Sequence, residues 1–450
     1  MRLASTIVAA ALLALPLAAT AQTTTVVDQT NVVEKSTTVV VKEVPKPSPV
    51  TFTPYGFFLL NAFFNDAFGA RNYPLPTPCA RAACEGNILI DVRQTRLGAR
   101  LAFDDTAGWT GATLSALVEV DFNGGYTTTT NSGAFYNPIV RLRKAYADAA
   151  WGTESKLTLR LGQDDRLISP YRPVSLAYVA NPLFQNAGLL HGRAPMVMVR
   201  YDLTPKNGIG FTVGVAAINP QNGNEENGTA AGTLPSVAVD LGAGNRSRIP
   251  NFEGRVGLAW RSDGRNLVAL GGYGGWQKNR YTSPATDQSV DQNSYIYGGD
   301  LDINFGFVRA WGNIYKGFGY DVPGALNSQG IALTVSPSVA SCATPARCNI
   351  TATTAVPAFG GWAQLLVGPP QYFQVYGGWG GVQTPFNALT GTVLGVNAAR
   401  VQNFMWAAGA VVYAGKNWRF SAEYGRATSY FYTGVPWTQG QFSVNSQLVF

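Results

Sequence analysis

The sequence predicts an all-β membrane protein: a 16-stranded antiparallel transmembrane β-barrel preceded by a short N-terminal arm. Three observations lead there. First, residues 441–450 alternate strictly, with Phe442, Val444, Leu448 and Phe450 on one face and Gln441, Ser443, Asn445 and Gln447 on the other. A strand with one oily and one polar face suits the last stave of a barrel set between lipid and water. Second, 46% of the 450 residues are hydrophobic and only 13% are charged, where about 25% charged is usual, and 50 Gly, 23 Phe, 20 Tyr and 10 Trp accompany them. Third, the connections between candidate strands alternate between tight turns and long polar loops, as in outer-membrane barrels.

The elements follow in chain order. Met1 and Arg2 precede an apolar run, Leu3 to Leu17, and the small residues Ala19, Thr20 and Ala21 follow it. This is the pattern of a secretory signal peptide, residues 1–21, cleaved after Ala21. The run is too short for a helix spanning about 20 apolar residues, and none as long recurs. Residues 22–50 form an expected periplasmic arm or linker. Its valine doublets (Val26-Val27, Val32-Val33, Val39-Val40) give way to the stiff Pro45, Pro47 and Pro49. A short coiled coil and a disordered or partner-ordered arm both fit. The barrel occupies 51–450, with strands expected near 52–65, 87–103, 110–123, 138–151, 155–163, 193–203, 208–219, 251–262, 265–279, 293–305, 306–317, 358–368, 370–382, 401–414, 416–429 and 439–450. Most reach the nine to eleven residues that a tilted strand needs to cross a bilayer.

The charges fall on one face of these strands. Arg160 lies opposite Leu157, Leu159 and Leu161, and Glu119 and Asp121 lie opposite Val118, Val120 and Phe122. A charge on the lipid face costs about 2–4 kcal/mol near the midplane, so the charged face is expected to line the lumen. Sixteen strands enclose a lumen too wide for side chains alone to fill.

The third long loop, 164–192, is richer in apolar residues than an exposed loop should be, and is expected to fold inward. There Asp164 and Asp165 would oppose Arg96, Arg100, Arg141, Arg143 and Arg160, with Glu119, Asp121, Arg166 and Arg172 nearby. Opposed charges across a narrow opening set a transverse field that selects ions and orients polar solutes. A purely structural lumenal network is compatible with the same residues.

Four cysteines fall into two local pairs, Cys79 with Cys84 and Cys342 with Cys348. In an exported chain these predict two short-loop disulfides, both in long loops. No cofactor or metal is indicated. The one histidine, His191, stands without a nucleophile and orienting group, so no enzyme is predicted. The net charge of +7 is scattered along strands, which makes nucleic acid a poor partner. The glycine-rich stretches Gly271–Trp276 and Tyr376–Gly381 lack the Lys-Ser/Thr of a phosphate loop, and are expected at strand ends beside interfacial aromatics.

The chain resembles the Gram-negative trimeric outer-membrane porins, and among them the DcaP-like porins. The stretches that carry the resemblance are Thr95–Leu101, Ala116–Phe122 and Val140–Gly152 followed by Lys156–Gln163. A periplasmic arm ahead of the barrel is also similar. The terminal Phe450 resembles the signal read by outer-membrane barrel assembly machinery. The resemblance implies a homotrimer embedded in outer-membrane lipid that passes small hydrophilic, often anionic, solutes by passive diffusion. The arginine count near the 164–192 loop leans the same way. A different reading, a structural or adhesive barrel with an occluded lumen acting through its extracellular loops, also fits long loops such as 318–357.

Overall fold

The computed structural model describes residues 50–67, 85–103, 111–124, 139–185, 187–220, 243–282, 289–320, 331–336, 349–385, 400–431 and 434–450. All belong to one compact unit, Ser48–Phe450. The expected signal peptide and arm, and all four cysteines, lie outside the described residues.

The barrel strands are β1 (Val50–Asn65), β2 (Asn87–Asp91), β3 (Arg96–Phe103), β4 (Thr113–Asp121), β5 (Arg141–Trp151), β6 (Ser155–Asp165), β7 (Arg193–Leu203), β8 (Gly208–Ile218), β9 (Asn251–Ser262), β10 (Arg265–Thr282), β11 (Ser289–Asn304) and β12 (Val308–Phe318). After β13 (Ile331–Ser336) and β14 (Asn349–Ala355), which pair only with each other, the wall resumes with β15 (Pro357–Val367), β16 (Phe373–Gln383), β17 (Arg400–Ala414), β18 (Trp418–Phe431) and β19 (Pro436–Val449). Each wall strand pairs antiparallel with its neighbour, and β19 pairs with β1 from Phe57↔Val449 to Asn65↔Gln441, so the sheet closes.

Seventeen strands make sixteen staves because β2 and β3 share one. β2 pairs with the upper half of β1 and β3 with the lower half. An unbroken strand was expected at 87–103. The break has a local cause. Arg93 folds back on Asp91, donating from its backbone at 2.9 Å and from its guanidinium at 2.9 and 3.0 Å, while Thr95 N–H donates to Val92 C=O at 3.0 Å. This side-chain turn competes with the ladder and swings Gln94 into the lumen.

The two faces sort as period-2 alternation requires. On β19 and at Phe450 just past its end, Phe442, Val444, Leu448 and Phe450 are 37–50% exposed, whereas Gln441, Ser443, Asn445 and Gln447 are 1–4% exposed. The apolar band ends in aromatics at both rims: Phe305, Phe307, Tyr372 and Trp418 beside the tight turns, and stacked Phe252–Trp276 and Tyr295–Phe318 pairs toward the long loops. In place of a wide open lumen, part of the inner face is covered by the chain between β6 and β7. The glycine-rich stretches lie within β10 and β16 rather than at strand ends.

Candidate pore constriction

Residues 166–192 leave the top of β6 and pack inside the barrel. Their apolar side chains explain why. Leu176, Tyr178, Leu183, Phe184 and Leu189 join lumenal Phe63, Trp311, Trp362, Leu366, Tyr376, Met405 and Ala427 in one buried cluster. Ile168 and Leu190, from the two stems, meet Tyr273, Ile296 and Tyr315 in another. Each large apolar side chain so removed from water contributes about 1.5–3 kcal/mol. Phe184 stacks on Trp362 with ring centroids 6.1 Å apart and lies against Gly378 and Gly380, where a Cβ would come within 2.9 Å of its ring or Cβ. Gly188, at φ +94°, sits so close to the wall that a Cβ there would lie 2.1 Å from Gly361 O.

Polar groups fix the loop at points around the wall. Arg166 is fully buried, with its guanidinium 2.6 Å from Glu253 of β9, and it donates to Tyr320 Oη at 2.8 Å. Leu167 N–H donates to the other Glu253 oxygen at 3.0 Å. Gln364 of β15 pairs with both backbone groups of Val174, at 2.6 and 2.9 Å. Gln94, turned inward by the β2–β3 break, donates to Ala177 C=O at 2.7 Å and accepts from Val179 and Ala180 N–H at 2.9 and 2.8 Å. Tyr178 donates to Gln441 of β19 at 2.5 Å. Ser175 and Tyr376 both hydrogen-bond Glu423 of β18, a fully dry acid.

The other side of the loop faces charge. Arg143 bridges Glu119 at 2.9 Å and Asp121 at 2.7 Å; Arg141 binds Asp121 at 2.7 Å and Arg96 lies 3.5 Å from Glu119. Lys144 holds Asp164 and Asp165 together, at 2.8 Å each. Arg160 pairs with Asp148 at 2.7 Å and with Asp164, and Arg172 pairs with Asp165. With Arg193, which feels Arg143 and Arg172 as like charges, the network holds seven cations and five acids. Burial and the surrounding Arg172, Arg193, Arg143 and Arg141 hold the His191 imidazole well below its usual pKa, so it is neutral at pH 7. Water reaches Arg141, Lys144, Arg172 and Asp165, whose side chains are 22–29% exposed. A second ladder, Arg255–Asp300 at 2.7 Å and Arg309–Asp302 at 2.9 Å, stands on β9–β12 below Tyr171. Burial first, then Asp300 and Asp302, pushes the Tyr171 hydroxyl up to about 12.

Of the residues singled out in the sequence, Arg96, Glu119, Asp121, Arg141, Arg143, Arg160, Asp164, Asp165 and Arg172 come together in this network. Asp164 and Asp165 end strand β6 rather than standing on the loop. Arg100 does not join them; it is exposed lower in the lumen, 5.1 Å over the Tyr55 ring. Arg166 lies at the loop's opposite anchor, out of reach of solvent.

Alternation alone misses Lys144. The β4–β5 register slips between Glu119 and Val120, so Glu119 faces Lys144, Val120 faces Leu142, and Arg143 is the extra residue. This β-bulge turns two consecutive cations inward. The signal was present: with Arg143 inside, strict alternation would put Lys144 in lipid, at a cost that forbids it. Gln94, Asp148 and Arg193 carry no comparable mark.

Phe450 clamps the seam. Its N–H donates to Gly56 C=O and its C=O accepts from Gly56 N–H, both at 3.1 Å, and its ring lies 5.5 Å from Phe58.

The closed sixteen-stave wall matches known structures. The crystal structure of the outer membrane channel DcaP of Acinetobacter baumannii superposes with a TM-score of 0.62 at 14% identity, covering 89% of this chain and 97% of that one. The fold is that of the outer-membrane porins. OmpT of Vibrio cholerae, described as outer-membrane expressed, follows at TM-score 0.50 and 11% identity, covering 90% of this chain and 99% of its own. No protein-family model matches the sequence, and no curated protein does. The porin barrel is therefore legible in shape where sequence similarity has faded, and its lipid-facing band places it in the bacterial outer membrane.

Proposed function

We propose that this porin-type barrel is a passive diffusion channel for small hydrophilic solutes and ions, with a lean toward anions. The observation that carries the reading is the wetted strip of Arg141, Lys144, Arg172 and Asp165 beside a loop whose apolar side chains are packed against the wall. A solute entering the lumen meets a surface on which cations outnumber acids, in a narrowed space where fields are weakly screened. Selection is by size and charge, with no reaction and no energy source. The likeness to the DcaP channel supports the channel role, and the resemblance to trimeric porins supports a homotrimer.

The tight seating of the 166–192 loop favours one other reading, a barrel with a closed lumen that acts through its external loops. Planar-bilayer recording of the refolded protein under a KCl gradient separates the two. Open steps in groups of three with a chloride-side reversal potential support the proposal. A cation-side potential overturns the anion lean, and an inserted but silent barrel overturns the channel.

A further inference from the structure

The outer wall between β9 and β16 holds glycines that its own packing does not require. At Gly254, Gly272 and Gly377 a Cβ would meet no atom nearer than 3.9 Å, and none of the three has positive φ. By contrast, Gly312 and Gly361 are demanded locally, since a Cβ there would lie 2.1 Å from Trp362 O or 2.5 Å from Asn313 O. Glycine weakens a strand interior unless something must approach the backbone closely. Of the first three, Gly377 lines an open groove of about 710 Å3 that also runs over Gly299 and Gly312 and is rimmed by Leu270, Leu301 and Trp379. A second, of about 350 Å3, shares Ile314, Ala363 and Trp379 with it and rises to Phe359.

Above these grooves the same sector changes chemistry in a fixed order. Lys316 sits on the outer face, in register with Tyr297 and Phe359. The next row is aromatic, Trp276 with Tyr295 and Phe318. Beyond it stand Lys278 and Arg280, both paired with Asp291, which leaves one net positive charge. Cations on the outer face of a membrane barrel are costly within the apolar band and useful only at headgroup height.

We propose that this sector docks an anionic, multiply acylated lipid of the outer leaflet, a lipopolysaccharide. Its acyl chains lie in the two joined grooves, and its phosphates meet Lys316 and the Lys278–Arg280 pair. The grooves accept chains against bare backbone, and the cations stand at the rim nearest the long loops, where a phosphorylated headgroup would lie. The proposal is independent of whether the lumen conducts.

The test is native mass spectrometry of the full protein after incubation with rough lipopolysaccharide or with phosphatidylglycerol vesicles. Wild type should retain lipopolysaccharide in preference to phosphatidylglycerol. Lys316→Glu with Lys278→Glu should cut retention at least tenfold, and the space-filling pair Ala363→Leu with Gly377→Leu, at positions that line the grooves, should do the same. Heat-modifiable electrophoretic migration checks closure of each barrel, and the charge pair adds no bulk that could prevent folding. Equal retention by all variants, or a preference for phosphatidylglycerol, overturns the proposal. So does a change in oligomeric mass, with lipid retention unchanged, when the grooves are filled, since the occupant would then be a second copy.

Discussion

Single side chains hold the loop where the wall's shape alone would not. Gln94 makes three hydrogen bonds to 177–180, each contributing about 0.5–1.5 kcal/mol net. Gln94→Ala should leave the barrel folded while loosening the loop tip, read as larger and noisier single-channel conductance; an unchanged trace would contradict this role. His191 supplies a pH dependence whose sign is set by its depressed pKa. The unfolded imidazole takes its proton near pH 6.5 and the folded one only at lower pH, so the unfolded state binds more protons in between. The contribution of neutral His191 is complete above about pH 6.5 and falls as pH drops below it. Amide exchange in 187–192 should therefore quicken from pH 7.5 to 5, after correction for the intrinsic exchange rate. His191→Gln, which keeps a neutral hydrogen-bonding group, should flatten that trend.

Among elements, the β4–β5 bulge and the loop stems matter most. The bulge aims Lys144 at both Asp164 and Asp165, so it offsets much of the acidic charge of the network. A unit charge about 5 Å from a permeating ion in water contributes about 0.8 kcal/mol, a factor of about four. Lys144→Met should move the chloride-to-potassium permeability ratio by about that factor toward potassium, measured as reversal potential. The stem at Arg166 works through Glu253 and Tyr320. Arg166→Ala strands a buried carboxylate, a change that costs about 3–5 kcal/mol in dry settings. Proteolytic cleavage within 166–192 should then accelerate while the barrel stays intact; cleavage at the wild-type rate would show that the apolar contacts suffice.

At the scale of the molecule, closure depends on β1 and β19 meeting in one register. Phe450 adds two backbone hydrogen bonds to Gly56 beyond the last paired strand residue. Deleting Phe450 should lower the yield of heat-modifiable, closed barrel on refolding, whereas Phe450→Tyr, which keeps the ring and the backbone, should restore it. A comparable loss with tyrosine would place the effect in the side chain's exposed edge rather than in the seam.

Strand existence and facing were legible in the sequence because they are local. A residue in a strand points to the opposite side from its neighbour, and lipid on one side makes a misplaced charge too costly to persist. Ala112–Phe122, Lys156–Gln163 and residues 441–450 therefore announce their own orientation, and a closed wall follows from enough of them. The inward fate of 164–192 was readable from its excess of apolar residues. Its seat was not: that Phe184 rests on the glycines of β16, that Gly188 touches β15, and that Glu253 waits for Arg166 are contacts across many residues of chain. The break at Asp91–Arg93 and the bulge at Arg143 belong to the same class, since each is a local departure stabilised by what it delivers to a distant partner. The sequence by itself determined a membrane barrel with a charged interior. Tertiary structure decided which of those charges pair with one another, because only closure of the wall and docking of the loop bring β3, β5, β6 and the loop within a few ångströms.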